Sequence, residues 1–318
     1  MSPGVVLVTG AGGLLGSALR SVAAESRWSF RFVDRRDGDL RERGVAEGLL
    51  EAGGRPDCVI HAAAHVGGIE ENRRDPEAMY EDNARMDRNV LEAALRLGVP
   101  KVVAFLSTCI FHPGAPQPWN EKMIHEGEPD QRHWGYARAK RELDLLARDL
   151  TARAQGSSRF VTLMPSTLYG PGDDFHPERS HVLPAILLKM WRARETGGDV
   201  TLWGTGAPRR ELLFSVDMAR VALWAADDYD EVEPLIVSPS ADVSIRDLAQ
   251  VVAGAIGFRG RVVWDAERPD GTPSRRTSSA KLRGLVPGLA LTPLQRGIET
   301  TAAHFRAHYP SLRGLVLE

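Results

Sequence analysis

At 318 residues, with 43% hydrophobic and 26% charged side chains, the chain has room for a large core and the composition of a soluble globular enzyme. A formal net charge of -2 excludes any general attraction to nucleic acid or anionic membranes, and no apolar run approaches the roughly 20 residues of a spanning helix. Two cysteines, Cys58 and Cys109, are too few for a secreted scaffold, and the chain opens on Gly4-Val5-Val6-Leu7-Val8 rather than on a signal peptide, so a reducing cytoplasm is expected.

Apolar runs bounded by glycine alternate with amphipathic stretches through the first half. The pattern predicts strands over 5–9, 30–34, 58–62, 102–106 and 160–164, with helices over 14–24, 45–51, 77–98 and 136–153 between them. Repeated strand–helix units of this length imply a Rossmann-type α/β fold, a doubly wound parallel sheet covered on both faces, with ligands at the carboxyl ends of its strands. From Pro165-Ser166-Thr167-Leu168-Tyr169-Gly170-Pro171 onward proline and glycine become frequent, with short helices over 182–194 and 245–256. Residues 1–170 are expected to bind a dinucleotide and 171–318 to form a smaller α/β substrate domain. A segment near 212–236, with a helix over 216–226, is expected to return to the sheet.

Thr9-Gly10-Ala11-Gly12-Gly13-Leu14-Leu15-Gly16 follows the first strand and opens the first helix. Glycines at 10, 13 and 16 let the backbone turn tightly and approach a pyrophosphate on the helix N-terminus. At the end of the second strand the signals conflict. Asp34 suits the ribose hydroxyls of NAD, whereas Arg35 and Arg36 suit the 2′-phosphate of NADP. Asp39 and Leu40 are placed to cover the adenine, and Ala62-Ala63-Ala64 leaves room for the cofactor along the third strand. Asn83 and Asn89, on the long helix, read as polar core groups, and Cys58 as a small buried hydrophobe.

Tyr136 and Lys140 lie in Trp134-Gly135-Tyr136-Ala137-Arg138-Ala139-Lys140, and Ser107 ends a strand upstream. A phenol and an ammonium four residues apart share one helix face, and the cation favours the phenolate. With Ser107 on the same substrate oxygen, this reads as a reductase site.

The glycine turn and the Ser…Tyr-x-x-x-Lys set resemble the extended short-chain dehydrogenase/reductase family. His65-Val66-Gly67-Gly68-Ile69, Ser107-Thr108-Cys109-Ile110-Phe111, Ser180-His181-Val182-Leu183-Pro184, Trp203-Gly204-Thr205-Gly206-Ala207-Pro208-Arg209-Arg210-Glu211 and Asp270-Gly271-Thr272-Pro273 narrow the likeness to its GDP-L-fucose synthase branch, nearly end to end. That resemblance implies epimerisation of GDP-4-keto-6-deoxy-D-mannose at C3 and C5, then NADPH reduction at C4. Tyr136 would protonate O4, Lys140 would hold the nicotinamide ribose, Ser107 would stabilise the enolate, and Cys109 and His181 would be base and acid. It extends the cofactor contacts to Leu14, Leu15, Gly12, Leu106, Pro165, Leu168 and His181. It also implies that Lys189, Arg210 and Arg275 meet the diphosphate, that Val182 and Trp203 line the base and ribose pocket, and that helices 77–98 and 136–153 pair into a homodimeric four-helix bundle. No metal, nucleic acid or membrane partner is implied.

The assignment is chemically coherent. A C–H beside a ketone turns acidic only when its enolate oxygen is stabilised. Cys109, two residues past Ser107 in an extended strand end, would point the same way, and a thiolate near the Lys140 cation is a credible base. Three positions depart from the branch pattern: Ser166-Thr167 in place of Thr-Asn, Asp174 in place of asparagine, and Asp34 beside the phosphate pocket. They leave open a related GDP-sugar such as a 4-keto heptose, or a single-step epimerase or C4-reductase. A silent NADPH-sensing module is the reading from another class. Arg275 and Arg276 allow a solvated pair, and Leu143, Leu146 and Leu150 form a stripe facing either a partner or the sheet.

Overall fold

The computed structural model describes residues 4–268 and 270–316. Six parallel strands form the central sheet: β1 (Val5–Thr9), β2 (Ser29–Val33), β3 (Cys58–His61), β4 (Lys101–Phe105), β5 (Arg159–Pro165) and β10 (Leu235–Val237). Their spatial order is β10-β5-β4-β3-β1-β2. The sequence runs outward from β1 to β2, then returns across β1 to β3, so the topological switch falls between β1 and β3. The turns after Thr9 and His61 therefore flank one crevice.

Four helices connect the early strands: α1 (Leu14–Val22), α2 (Val45–Glu51), α3 (Ile69–Arg74) and α4 (Pro76–Arg96). α5 (Trp134–Arg153) follows a loop of short turns after β4. Pro76 opens α4 where its missing N–H costs nothing, and Asp75 caps that end by accepting from the Ala78 amide at 3.0 Å. α5 packs along α4, and Gly135 makes their close approach feasible. A Cβ there would stand 1.8 Å from the Pro76 carbonyl oxygen. Leu143 and Leu150 of α5 are buried and Leu146 is half-buried, all in the cluster beneath the sheet. The leucine stripe faces the sheet.

The rest of the chain comprises β6 (Thr167–Tyr169), α6 (Val182–Thr196), β7 (Val200–Trp203), β8 (Arg209–Arg210), β9 (Leu212–Phe214), α7 (Ser215–Asp228), β11 (Val243–Ser244), α8 (Ile245–Ile256), β12 (Val262–Asp265), α9 (Ala280–Leu285) and α10 (Leu294–His308). It builds its own core from α6, α8 and α10, with Leu187, Met190, Leu248, Val252, Ile298 and Phe305 buried. α7 packs on α1, and β10 pairs with β5, so the chain does return to the sheet around 215–237. Helices α3, α9 and α10 add to those expected. Among the described residues no helix is long and apolar enough to cross a membrane.

Gly135→Ala tests the α4–α5 seam. In an unconstrained helix this change stabilises by up to about 1 kcal/mol; here it should destabilise by about 2 kcal/mol or more, measured by urea unfolding, because a packed backbone must move.

Candidate functional site

The glycine turn is closed by backbone contacts. Gly10 takes φ +70°, and a Cβ on it would lie 2.5 Å from the Ala63 amide nitrogen; one on Gly16 would lie 2.4 Å from the Gly10 carbonyl oxygen. The N-terminus of α1 has Gly13 at its cap and no side chain bonding its first amides. Those N–H groups and the helix dipole are thus available to an anion. Half-buried Ala62, Ala63 and Ala64 and buried Leu106 and Pro165 line the adjoining strand ends, with Leu168 beside them. This crevice fits a dinucleotide.

Asp34 accepts from Arg36 Nη2 at 2.7 Å and Nε at 3.0 Å. Those bonds hold its carboxyl down at about 2. Arg35 is 80% exposed and 3.9 Å from Asp39. Asp39 is itself occupied by Arg41 at 2.6 Å, and the Leu40 carbonyl is fixed by Asn89 Nδ2 at 2.8 Å. The opposed charges at the strand end thus partly neutralise one another.

The second half of the site corrects three expectations. Cys109 sits in a 3-10 turn, Thr108–Ile110, rather than an extended strand end, yet its Sγ still donates to Ser107 Oγ at 3.3 Å. The tight turn, not the β pleat, turns both groups the same way. Burial pushes the Cys109 thiol up, opposed by the Ser107 bond and then by Arg275; the nearby cation is Arg275, not Lys140. Tyr136 also moves upward, through burial first and then through its neighbours Cys109 and Asp87. Lys140 does not offset this, because its Nζ is turned to Asp87 at 3.2 Å and lies 5.8 Å from the phenol ring centroid. A phenol held protonated is suited to giving a proton rather than taking one.

A cationic cluster adjoins Cys109. Asp130 donates its amide to the Cys109 carbonyl at 3.2 Å and accepts from Arg275 Nη2 at 2.5 Å and Arg132 Nε at 3.0 Å. Burial would raise Asp130, but bonds from His133 and Arg132 and the Arg275 charge outweigh it and hold the carboxyl far below its usual range. Arg132 also reaches the Thr272 hydroxyl, and Arg210 donates to the Thr272 carbonyl at 2.7 Å. Arg210 is pushed down to about 10 by burial and by Arg275 and Arg132. Three guanidiniums around one carboxylate leave excess positive charge, a site for a polyanion. Arg275 is mostly buried on Asp130, so the solvated-pair reading fails.

His181 stands exposed at the N-cap position of α6 without bonding its amides, followed by half-buried Val182, and its pKa is lowered by desolvation first and then by His133. Lys189 Nζ and Arg268 Cζ both approach the Trp203 ring, at 5.2 and 5.0 Å. Trp203 is 56% exposed, a free aromatic surface beside two cations. Asp174 is paired with Arg179 at 3.1 Å, so its added charge is absorbed locally. His61, Asp87, Asp130, Arg132, His133 and Arg268 escaped the sequence reading. Only His133, three residues before Tyr136, carried a spacing signal.

Together, fold and site define an enzyme of the nicotinamide-dependent oxidoreductase and epimerase class. The chain belongs to the NAD dependent epimerase/dehydratase family, whose profile matches residues 6–238, and within it to the GDP-L-fucose synthases. It is 34% identical to the GDP-L-fucose synthase of Dictyostelium discoideum, covering 97% of both chains, and 33% identical to that of Escherichia coli strain K12, covering 99% of this chain and 100% of the other. The crystal structure of a GDP-L-fucose synthetase from Naegleria fowleri bound to NADP superposes with a TM-score of 0.93 at 34% identity, over 98% of this chain and 96% of that one. A GDP-6-OMe-4-keto-L-xylo-heptose reductase from C. jejuni is 22% identical with a TM-score of 0.86, a likeness of fold.

The raised thiol has a direct readout. Iodoacetamide should alkylate Cys109 more slowly than a free thiol at pH 8, and Arg275→Gln should slow it further by roughly threefold, since the cation favours thiolate. Peptide mass mapping separates Cys109 from Cys58, which burial pushes up to about 12.

Proposed function

We propose that the chain converts GDP-4-keto-6-deoxy-D-mannose to GDP-L-fucose, epimerising C3 and C5 and then reducing C4 with NADPH. The observation that carries this reading is the Cys109–Ser107 contact beside a protonated Tyr136, because it joins a carbon base to a carbonyl-oxygen donor pair. Residues 1–170 with the returning segment near 212–236 would hold the cofactor, and 171–318 would hold the nucleotide sugar.

In this reading Cys109 takes the proton from carbon next to the ketone on one face, and the Ser107 hydroxyl and Tyr136 phenol stabilise the enolate oxygen. His181 returns a proton to the other face, inverting the centre; exchange with water then resets both groups. The raised thiol means the base is armed only when the ligand, Ser107 and Arg275 shift it toward thiolate. When bound, NADPH would supply the hydride that C4 receives. Tyr136 then protonates O4, and Lys140 holds the ribose edge of the cofactor pocket. Gly10, Gly12, Gly13, Leu14, Leu15 and Gly16 would hold the diphosphate of that cofactor, with Asp34, Arg35, Arg36, Asp39 and Leu40 toward its adenosine and Ala62–Ala64, Leu106, Pro165 and Leu168 beside the rest.

For the sugar nucleotide, Arg210, Arg275 and Lys189 face the diphosphate, and Trp203 and Val182 the guanosine. Arg268 joins the proposed set because it shares the Trp203 ring with Lys189. A homodimer through α4 and α5 is supported by Leu145, 53% exposed on the outer face of α5. Cytoplasmic residence accords with two free cysteines.

Deuterium incorporation from D2O at C3 and C5 of the 4-keto sugar, measured without NADPH, tests the first half. Cys109→Ser should cut exchange by about 10³-fold, whereas Tyr136→Phe should cut NADPH oxidation by about 10²-fold or more and spare exchange better. No exchange by the parent enzyme sinks the epimerase reading.

Cofactor choice is read the same way. With Asp34 neutralised by Arg36 and Arg35 exposed, NADPH should bind more tightly than NADH by about tenfold or more, a difference of about 1.4 kcal/mol. The double variant Arg35→Ala/Arg36→Ala should erase that preference in fluorescence titrations. An NADH preference in the parent would make Asp34 dominant.

A further inference from the structure

Three polar side chains that the steps above do not use, Thr9, His61 and Asp87, form an unbroken line ending on Lys140, and all four are nine-tenths or more buried. Thr9 Oγ1 lies 2.7 Å from His61 Nδ1, His61 Nε2 lies 3.0 Å from Asp87 Oδ1, and Asp87 Oδ2 lies 3.2 Å from Lys140 Nζ. They come from β1, β3, α4 and α5, so no local turn explains the arrangement. The line has one consistent direction. A carboxylate bonded to an ammonium only accepts, so His61 Nε2 carries a proton, and in the neutral ring Nδ1 is the acceptor. Thr9 must then donate its hydroxyl proton to Nδ1, which leaves its lone pairs for the Ala63 amide at 3.3 Å. Each link of the line thereby pairs one donor with one acceptor, which favours a single geometry for a buried polar network.

We propose that Asp87 and His61 are positioning residues for Lys140, and that Thr9 ties them to the crevice. Asp87 holds the ammonium under Tyr136, and His61 holds Asp87 in the rotamer that reaches it. Thr9 and Ala63 belong to the two turns flanking the crevice, and a Cβ on Gly10 would strike the Ala63 amide. A dinucleotide seated on those turns would thus lie against the strand ends from which the line to Lys140 starts. The groups facing Lys140 are Asp87 from α4, with His61 of β3 behind it, and Tyr136 of its own helix, which Cys109 faces from the turn after β4. Asp87 is the carboxylate in contact with the ammonium, and burial, which would raise it, is outweighed by Lys140 and His61. The inference rests on the reading of Tyr136 and Lys140 as the reductive pair.

The test uses the full chain and three substitutions. Asp87→Asn keeps the shape but removes the charge; Thr9→Val keeps the charge pair but removes the donor to His61; Asp87→Glu restores the carboxylate. Long-range proton–nitrogen NMR of the 15N-histidine protein should show His61 as the Nε2–H tautomer, and Thr9→Val should disturb that signal. Asp87→Asn should weaken NADPH binding by about tenfold and lower kcat of reduction by about 10²-fold, with KM for the GDP-sugar held within about twofold. It should also move the alkaline limb of the kcat profile to lower pH, and Asp87→Glu should recover part of each loss. An Nδ1–H tautomer, or an Asp87→Asn enzyme with parental NADPH affinity and pH profile, overturns the proposal. If the parent turns over no GDP-4-keto sugar, the functional reading fails by itself, while the spectrum and the NADPH titration still decide the positioning role.

Discussion

An ammonium ion buried between two helices cannot stand alone, and the contact between Lys140 on α5 and Asp87 on α4 answers that constraint. Both side chains are 3% exposed, so water contributes almost nothing to their solvation. A buried pair of this kind adds little net stability, because desolvation offsets attraction, but losing one partner typically costs about 3–5 kcal/mol. Its effect is to fix which turn of α5 lies against which turn of α4. Gly135 gives the same instruction sterically, since only a residue without a side chain admits the Pro76 carbonyl there. Tyr136, one residue on, inherits its place from both.

Across the cleft the electrostatics are inverted. Around Tyr136 the nearest formal charges include Asp87, and the phenol is kept protonated. Around Cys109 the balance is cationic, with Arg275 and Arg132 gathered on Asp130 and Arg210 linked through Thr272. A ligand carrying a diphosphate at one end and a ketone at the other matches this polarity along its length. The segment 272–277 is bound to the first half of the chain by more than these ions. Gln117 and Ser274 exchange hydrogen bonds, and Trp119 bridges to Thr277. The arginine-bearing wall is thus tied to the first half of the chain.

How much of this was readable beforehand depends on sequence separation. The glycine turn and the Tyr136–Lys140 pair are local patterns, and their spacing alone implied backbone approach and a shared helix face. The 3-10 turn carrying Cys109 was not legible, because a three-residue turn and a strand end look alike over Ser107-Thr108-Cys109. Nor was the electrostatic sign at Tyr136. Lys140 is four residues away in sequence, but Asp87, which captures its charge, is 53 residues distant. Arg275, the cation felt by Cys109, lies 145 residues beyond its own anchor Asp130. Pairings of that range are set by strand order and helix packing, and single-residue patterns carry no trace of them. Asp34 and Arg36 are the opposite case: the conflict was visible in the letters, and its resolution into an ion pair needed only two residues of chain.

The raised pKa of the Cys109 thiol has a consequence outside the chemistry of sugars. Peroxides attack thiolates, not thiols, so a sulfur kept protonated and 3% exposed is a poor target for oxidation to sulfenic acid.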